Sequence, residues 1–176
     1  MRNVLIVGNG GIGLAVAKNL MNTGNQVSMV ARSPKAGDLV KTHELTELAR
    51  LIKEESYDDI IVSTGLLSHE NHAPEKNVSH LSRAWLDENI SSNLMPTVLV
   101  AQALSHHVPR NKTFKLLTLS ARVASITDNH LGGWYSYRMS KAALNMFVKN
   151  VSIEWRLRFP QAGIYAYHPG TVDTPL

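Results

Sequence analysis

Tyr137 and Lys141, four residues apart in GGWYSYRMSKAALNMF, are the side chains whose types and spacing could do chemistry. A separation of i to i+4 puts both on one face of a helix. A free phenol loses its proton only near pH 10, too high for proton transfer at neutral pH. A neighbouring ammonium favours the phenolate and lowers that value. The pair is then a general acid for a carbonyl under reduction. Many helices carry this spacing by chance, so its weight comes from a second feature, a glycine-rich turn near the N-terminus.

That turn is Gly8-Asn9-Gly10-Gly11-Ile12-Gly13, and Gly8, Gly10 and Gly13 fit the pattern GxGxxG. The first glycine allows a tight turn, the second lets backbone approach a pyrophosphate, and the third lets helix and strand pack closely. Backbone N–H groups and the helix dipole would hold the phosphates. Nineteen residues after Gly13 stands Arg32, in the segment ARSPKAG. An acid near this point would bind the 2′-hydroxyl of NAD. The segment offers Arg32 and Lys35 instead and has no acid before Asp38. A cation suits the extra 2′-phosphate of NADP, so NADP(H) is favoured and NAD(H) stays open.

The elements that must position these residues follow from periodicity. Residues 4–7 form an apolar run that reads as a buried parallel strand. Leu14, Ala17, Leu20 and Met21 recur at helical spacing, with Gly24 as the stop. Gln26–Ala31 reads as a second strand, which completes the opening of a doubly wound α/β fold. The pattern predicts a helix over 46–55 with Leu48, Leu51 and Ile52 facing inward, and a strand over 60–63. A polar loop follows over 66–80, read as an active-site loop, then one long helix over 86–104 despite Pro96. A strand over 114–119, a loop over 120–133, the Tyr–Lys helix over 134–155 and a strand over 162–167 complete the series. With 176 residues and no internal repeat, a single domain over 1–176 is expected.

Composition narrows the function classes. The chain is 44% hydrophobic and 18% charged, as a globular domain is. Having no cysteine, it can form neither a disulfide nor a thiolate metal site, which fits a cytoplasmic setting. Its eight histidines show no zinc spacing and read as polar surface positions. The first residues lack a signal-peptide layout, and no apolar run is long enough to span a membrane. Net charge is +4, yet Lys and Arg are scattered without aromatic interleaving, which argues against nucleic acid. Met139 and Met146 follow the period of a helix that is apolar on several sides, so core or interface positions are expected.

With the glycine turn, the stretch SARVASI and the long match GGWYSYRMSKAALNM in order, the chain resembles the short-chain dehydrogenase/reductase family. It looks most like the C-factor-like and sniffer-like carbonyl reductases. The resemblance implies a Rossmann-type doubly wound parallel sheet and hydride transfer between nicotinamide and a carbonyl or alcohol. Tyr137 would give the proton, and Lys141 would lower its pKa and bind the nicotinamide ribose. Asn93 matches the asparagine that holds a water in the proton relay. Thr64 and Gly65 stand where an NAG-type motif lies, with Ser63 in place of its asparagine. Pro169, Gly170 and Thr174 match the PGxxxT that meets the nicotinamide end. The catalytic serine is Ser125 or Ser120; Ser125, twelve residues before Tyr137, is favoured.

The resemblance also implies a homodimer through the Asn93 and Tyr137 helices. Two departures stand out. The third strand and its following helix are abbreviated, and no Asp matches the one often found after that strand. Related proteins continue past the PGTVDTP segment into substrate-covering helices and a final strand, so an open sheet edge and a missing pocket wall are expected. An alternative is a dinucleotide-binding regulatory protein without turnover, or an inactive fragment.

Overall fold

In a computed structural model, residues 1–32, 42–69 and 72–170 are described. Val4, Leu5, Ile6 and Val7 are all buried, because the strand they form, β1 (Asn3–Val7), has helices on both faces. Leu5 and Val7 point into the larger apolar cluster, Val4 and Ile6 into the smaller one with Ala17 and Met29. Successive side chains of a strand alternate between faces, so an unbroken apolar run needs cover on both.

Five further strands run parallel to β1: β2 (Gln26–Ala31), β3 (Thr42–Glu44), β4 (Asp59–Val62), β5 (Lys115–Leu119) and β6 (Gly163–Tyr167). Their order across the sheet is β3-β2-β1-β4-β5-β6. The chain moves outward from β1 to β3, then returns to β4 on the other side of β1. The crevice at this reversal is where open α/β sheets bind ligands. The expected doubly wound parallel sheet is thus present. β3, at three residues, is as short as the sequence suggested. β6 is an edge of the described sheet and carries the half-exposed Tyr165 and Tyr167.

Helix α1 (Gly11–Asn22) ends where Gly24, at φ +80°, donates to Met21 O and Asn25 to Leu20 O. Only a residue that tolerates left-handed backbone closes a helix this way at little cost. Helix α2 (Leu48–Glu54) buries Leu48, Leu51 and Ile52, as the spacing requires. The long helix expected over 86–104 is two helices, α3 (Arg83–Asn93) and α4 (Met95–His107), with Leu94 between them. Pro96 has no N–H to continue the ladder, but it is well placed in the first turn of a new helix. α3 also begins earlier than the periodicity indicated, because the Ser82 hydroxyl caps it by accepting from Trp85 N at 3.2 Å. Helix α5 (Tyr135–Arg158) runs three residues further than expected and packs Leu144, Val148, Val151 and Trp155 into the larger cluster.

Candidate active site

Because all six strands are parallel, their C-terminal ends open on one side of the sheet. The glycine turn after β1, Arg32 after β2, Thr64 and Gly65 after β4, Ser120 after β5, and Pro169 and Gly170 after β6 all emerge there. Gly8, Asn9, Gly10, Gly11, Ile12, Arg32, Thr64 and Gly65 line one cleft of about 350 Å³. Thr174, Lys35, Asp38 and Lys41 lie outside the described residues.

The three glycines of the motif do different work. Gly8 has φ +112°, which other residues rarely adopt. A Cβ on Gly13 would collide with the Gly8 carbonyl oxygen and the Ser63 hydroxyl, so helix and strand are in closest approach there. A Cβ on Gly10 would meet nothing within 4 Å. The space beside Gly10 is open to the cleft, which suits a phosphate drawn against backbone. No acidic side chain stands in the first turn of α1, and its N-cap residue, Gly10, brings no side-chain acceptor. The first-turn N–H groups and positive dipole end thus face the cleft as an anion would need.

Ser63, which stands for the family's asparagine, keeps a tether: its hydroxyl lies 3.2 Å from both Val7 O and Gly8 O. Two more hydroxyls of the cleft lining, Thr64 Oγ1 and Ser92 Oγ, are buried with no hydrogen-bond partner among the described residues. Buried polar atoms are nearly always paired, so a polar ligand fits this lining. Arg32 is exposed at the cleft's edge, with no carboxylate paired to it among the described residues.

The Tyr137 end is built from side chains. Tyr137 is half-buried, and Lys141 is 2% exposed. Lys141 Nζ donates to Leu119 O at 2.8 Å and sits 5.8 Å from the centre of the Tyr137 ring. Burial lowers the ammonium to about 8. Burial also raises the Tyr137 phenol above its ordinary value, and no lowering by Lys141 accompanies this. Desolvation thus sets the direction of the phenol's shift, opposite to the lowering that the Tyr–Lys spacing implies. A Cβ on Gly65 would lie 3.7 Å from both Lys141 Nζ and Asn93 Oδ1, so the glycine marks where the two ends of the site meet.

Asn93 is buried, and both ends of its side-chain amide are hydrogen-bonded. Its Oδ1 accepts from Leu66 N at 2.6 Å. Its Nδ2 faces Leu66 O at 3.0 Å, Ser140 Oγ at 2.9 Å and Asn89 Oδ1 at 3.2 Å. Ser140 passes the link on, donating to Tyr137 O at 2.8 Å. The amide thus acts as a clamp between the chain after β4 and α5.

Neither candidate serine hydrogen-bonds the Tyr137 side chain among the described residues. Ser120 Oγ donates to Asn145 Oδ1 at 2.7 Å. Ser125 Oγ stays in a local turn, accepting from Asp128 N at 3.2 Å. Sequence reasoning missed Glu75 entirely. It is 4% exposed, sits in the 66–80 loop, and meets the first turn of α5. Its only local sign is an acid directly after Pro74, which points to no partner.

No family model matches the chain. An uncharacterised oxidoreductase of Schizosaccharomyces pombe is 28% identical over 199 residues, covering 98% of this chain and 74% of its own length. A benzil reductase ((S)-benzoin forming) of Bacillus cereus is 25% identical, covering 99% of this chain and 77% of its own. Among solved structures, a carbonyl reductase of Pseudomonas aeruginosa PAO1 aligns with TM-score 0.75 and 26% identity, over 98% of this chain and 85% of that one. The chain has the fold and the relatives of the short-chain dehydrogenase/reductase family. The carbonyl reductase Sniffer of D. melanogaster shares the fold at TM-score 0.78 and 21% identity, over 99% of this chain and 82% of that one. A short-chain dehydrogenase/reductase of Burkholderia multivorans with bound NADP does so at 0.82 and 23%, over 99% and 81%. The relatives named here are oxidoreductases, and no helix among the described residues is long and apolar enough to cross a membrane.

Proposed function

We propose that the protein is an NADP(H)-dependent reductase of carbonyl compounds, or in the opposite direction a dehydrogenase of the corresponding alcohols. The observation that carries this is the meeting, around Gly65, of an anion-receptive glycine turn with a buried lysine and its neighbouring tyrosine. The nicotinamide group, when bound, supplies or accepts the hydride. Gly8, Asn9, Gly10, Gly11, Ile12 and Gly13 would hold its phosphates, Arg32 its 2′-phosphate, and Thr64, Gly65, Pro169, Gly170 and Thr174 the remainder.

Tyr137, protonated at neutral pH as any phenol is, would donate to the substrate oxygen, with Lys141 stabilising the phenolate left behind. Lys141, at about 8, is mostly cationic at pH 7 and would orient both ribose and phenol. Ser125, or less directly Ser120, would hydrogen-bond the substrate oxygen as charge develops on it. A protein that only binds dinucleotide has less use for a proton donor, so the Tyr137–Lys141 pair beside the cleft favours turnover. Exposed Met139, Met146, Ile153 and Leu157 on α5 and Leu99 on α4 support a homodimer through this side of the molecule.

The test is a fluorescence titration with NADPH and NADH, followed by oxidation of NADPH with aldehydes, ketones and quinones, benzil included. NADPH should bind more tightly than NADH. Tyr137→Phe should cut turnover by at least about a thousandfold, as loss of a general acid plus its positioning can. It should leave the Kd for NADPH within about twofold. Full turnover in that variant sinks the mechanism, and absence of binding by either nucleotide sinks the whole reading.

A further inference from the structure

The first turn of α5 begins from backbone that should not hold itself in place. Gly132, Gly133 and Trp134 are all left-handed, at φ +64°, +65° and +53°. For the bulky Trp134 this is an uncommon and unfavourable conformation. Trp134 is also the residue at the N-cap, where a short polar side chain would normally accept from the first turn, and no side chain of its own does so. The missing acceptor comes from 61 residues away. Both carboxylate oxygens of Glu75 lie 3.3 Å from Ser136 N, and the Ser136 hydroxyl donates to Oε1. Glu75 also accepts through its backbone, from Trp134 N at 2.6 Å.

Three features show that this contact is specific. Glu75 is 4% exposed and Ser136 fully buried, so the carboxylate lies out of water at the positive end of the helix dipole. Gly133 leaves room for it, since a Cβ there would lie 3.3 Å from Glu75 O. Arg138 braces the same turn from the other side, donating to Gly133 O at 3.0 Å and Val123 O at 3.2 Å. The residue that Glu75 grips directly precedes Tyr137.

We propose that Glu75 is a positioning residue: its carboxylate serves as a long-range cap that fixes the first turn of α5, and so the direction from which Tyr137 presents its phenol. This rests on the reading of Tyr137 as the proton donor. The capping oxygen matters through its reach, since a single acceptor at the right distance satisfies the Ser136 donors. The same contact ties the 66–80 loop, whose Leu66 and Ser68 line the cleft, to the helix that carries Tyr137 and Lys141.

Glu75→Gln keeps an acceptor at the same reach, Glu75→Asp keeps the charge and withdraws the oxygens by one methylene, and Glu75→Ala removes both. Hydrogen exchange of the nucleotide-free protein should rise about tenfold or more over residues 134–140 in the Ala and Asp variants, with α1 unaffected, because local openings report local contacts. On any carbonyl that the wild type reduces, kcat should fall about 30-fold or more in both, with the Kd for NADPH within about twofold, as for a misplaced catalytic group. Glu75→Gln should recover most of the protection and most of kcat. Should Glu75→Ala not fold, the Asp–Gln contrast carries the test.

Unchanged exchange in Glu75→Asp overturns the proposal. So does raised exchange with kcat per folded molecule unchanged, which would make the contact merely structural, or a Gln variant as impaired as Asp. If the wild type reduces no carbonyl, the functional reading fails, while the exchange comparison still decides whether Glu75 holds the turn.

Discussion

Where the chain passes from β1 into α1 the site is made of backbone; where α5 begins it is made of side chains reaching across the fold. The glycine end needs little support, because tight turns and free N–H groups are properties of a few consecutive residues. Its hydroxyls Thr64 Oγ1 and Ser92 Oγ are buried without partners among the described residues, as a surface awaiting a ligand would be. At the tyrosine end nearly every polar group is engaged: Asn93 with Leu66 and Ser140, Lys141 with Leu119, Glu75 with Ser136. One end is shaped to receive charge from outside, the other to hold protein groups still. Preorganised groups cost least to use at the moment of reaction, and that requires such bracing.

The sharpest way to break the contrast is to fill the glycines. Gly13→Val forces α1 away from β1, since even a Cβ would collide with Gly8 O and the Ser63 hydroxyl. NADPH binding should weaken by about a hundredfold or more, with a stability loss of overpacking size, about 1–3 kcal/mol. A Cβ in Gly10→Ala meets no atom within 4 Å among the described residues, so Tm should stay within about 2 °C, at most about 0.5–1 kcal/mol, while nucleotide affinity still falls. Equal effects of the two substitutions on stability would show that Gly10 is packed for the fold and not left open for a ligand.

These glycines were legible in the sequence because their signal is local: strand, GxGxxG and helix follow one another within about twenty residues. The Tyr137–Lys141 face was legible for the same reason. Glu75 and Ser136 are 61 residues apart, and Asn93 and Leu66 are 27 apart; no periodicity links such pairs. The break at Leu94 was missed because both halves keep apolar residues at helical spacing, and Pro96 is compatible with either reading until the ladder is seen. The direction of the Tyr137 shift depended on how deeply the fold buries the ring, which spacing does not encode.

Lys141 sharpens the contrast through pH. Its folded pKa, about 8, lies below the ordinary 10.5, so the unfolded chain holds this proton more tightly. The burial penalty is therefore fully present below pH 8 and is relieved as pH rises from 8 towards 10.5. Relative to Lys141→Met, the wild type should gain stability over that window, by on the order of 3 kcal/mol at most. Denaturant unfolding of both proteins at pH 7 and pH 10 reads the difference, and the shared titrations cancel. A gap that does not change with pH would mean that the ammonium is not desolvated as its surroundings imply.

The smallest expected effect belongs to Arg32, the exposed residue at the backbone-made end. Its guanidinium would meet a 2′-phosphate in water, where a charge-assisted contact is screened. Arg32→Ala should thus weaken NADPH binding by about tenfold, or about 1.4 kcal/mol, and leave NADH binding nearly unchanged. The loss should shrink as salt rises from 0.05 to 0.5 M, since the Debye length falls well below 10 Å over that range. Titration of both nucleotides at the two salt concentrations separates the outcomes. An equal loss for NADH would make Arg32 a part of the general phosphate cradle, while no loss for either would place the 2′-phosphate against another group of the cleft.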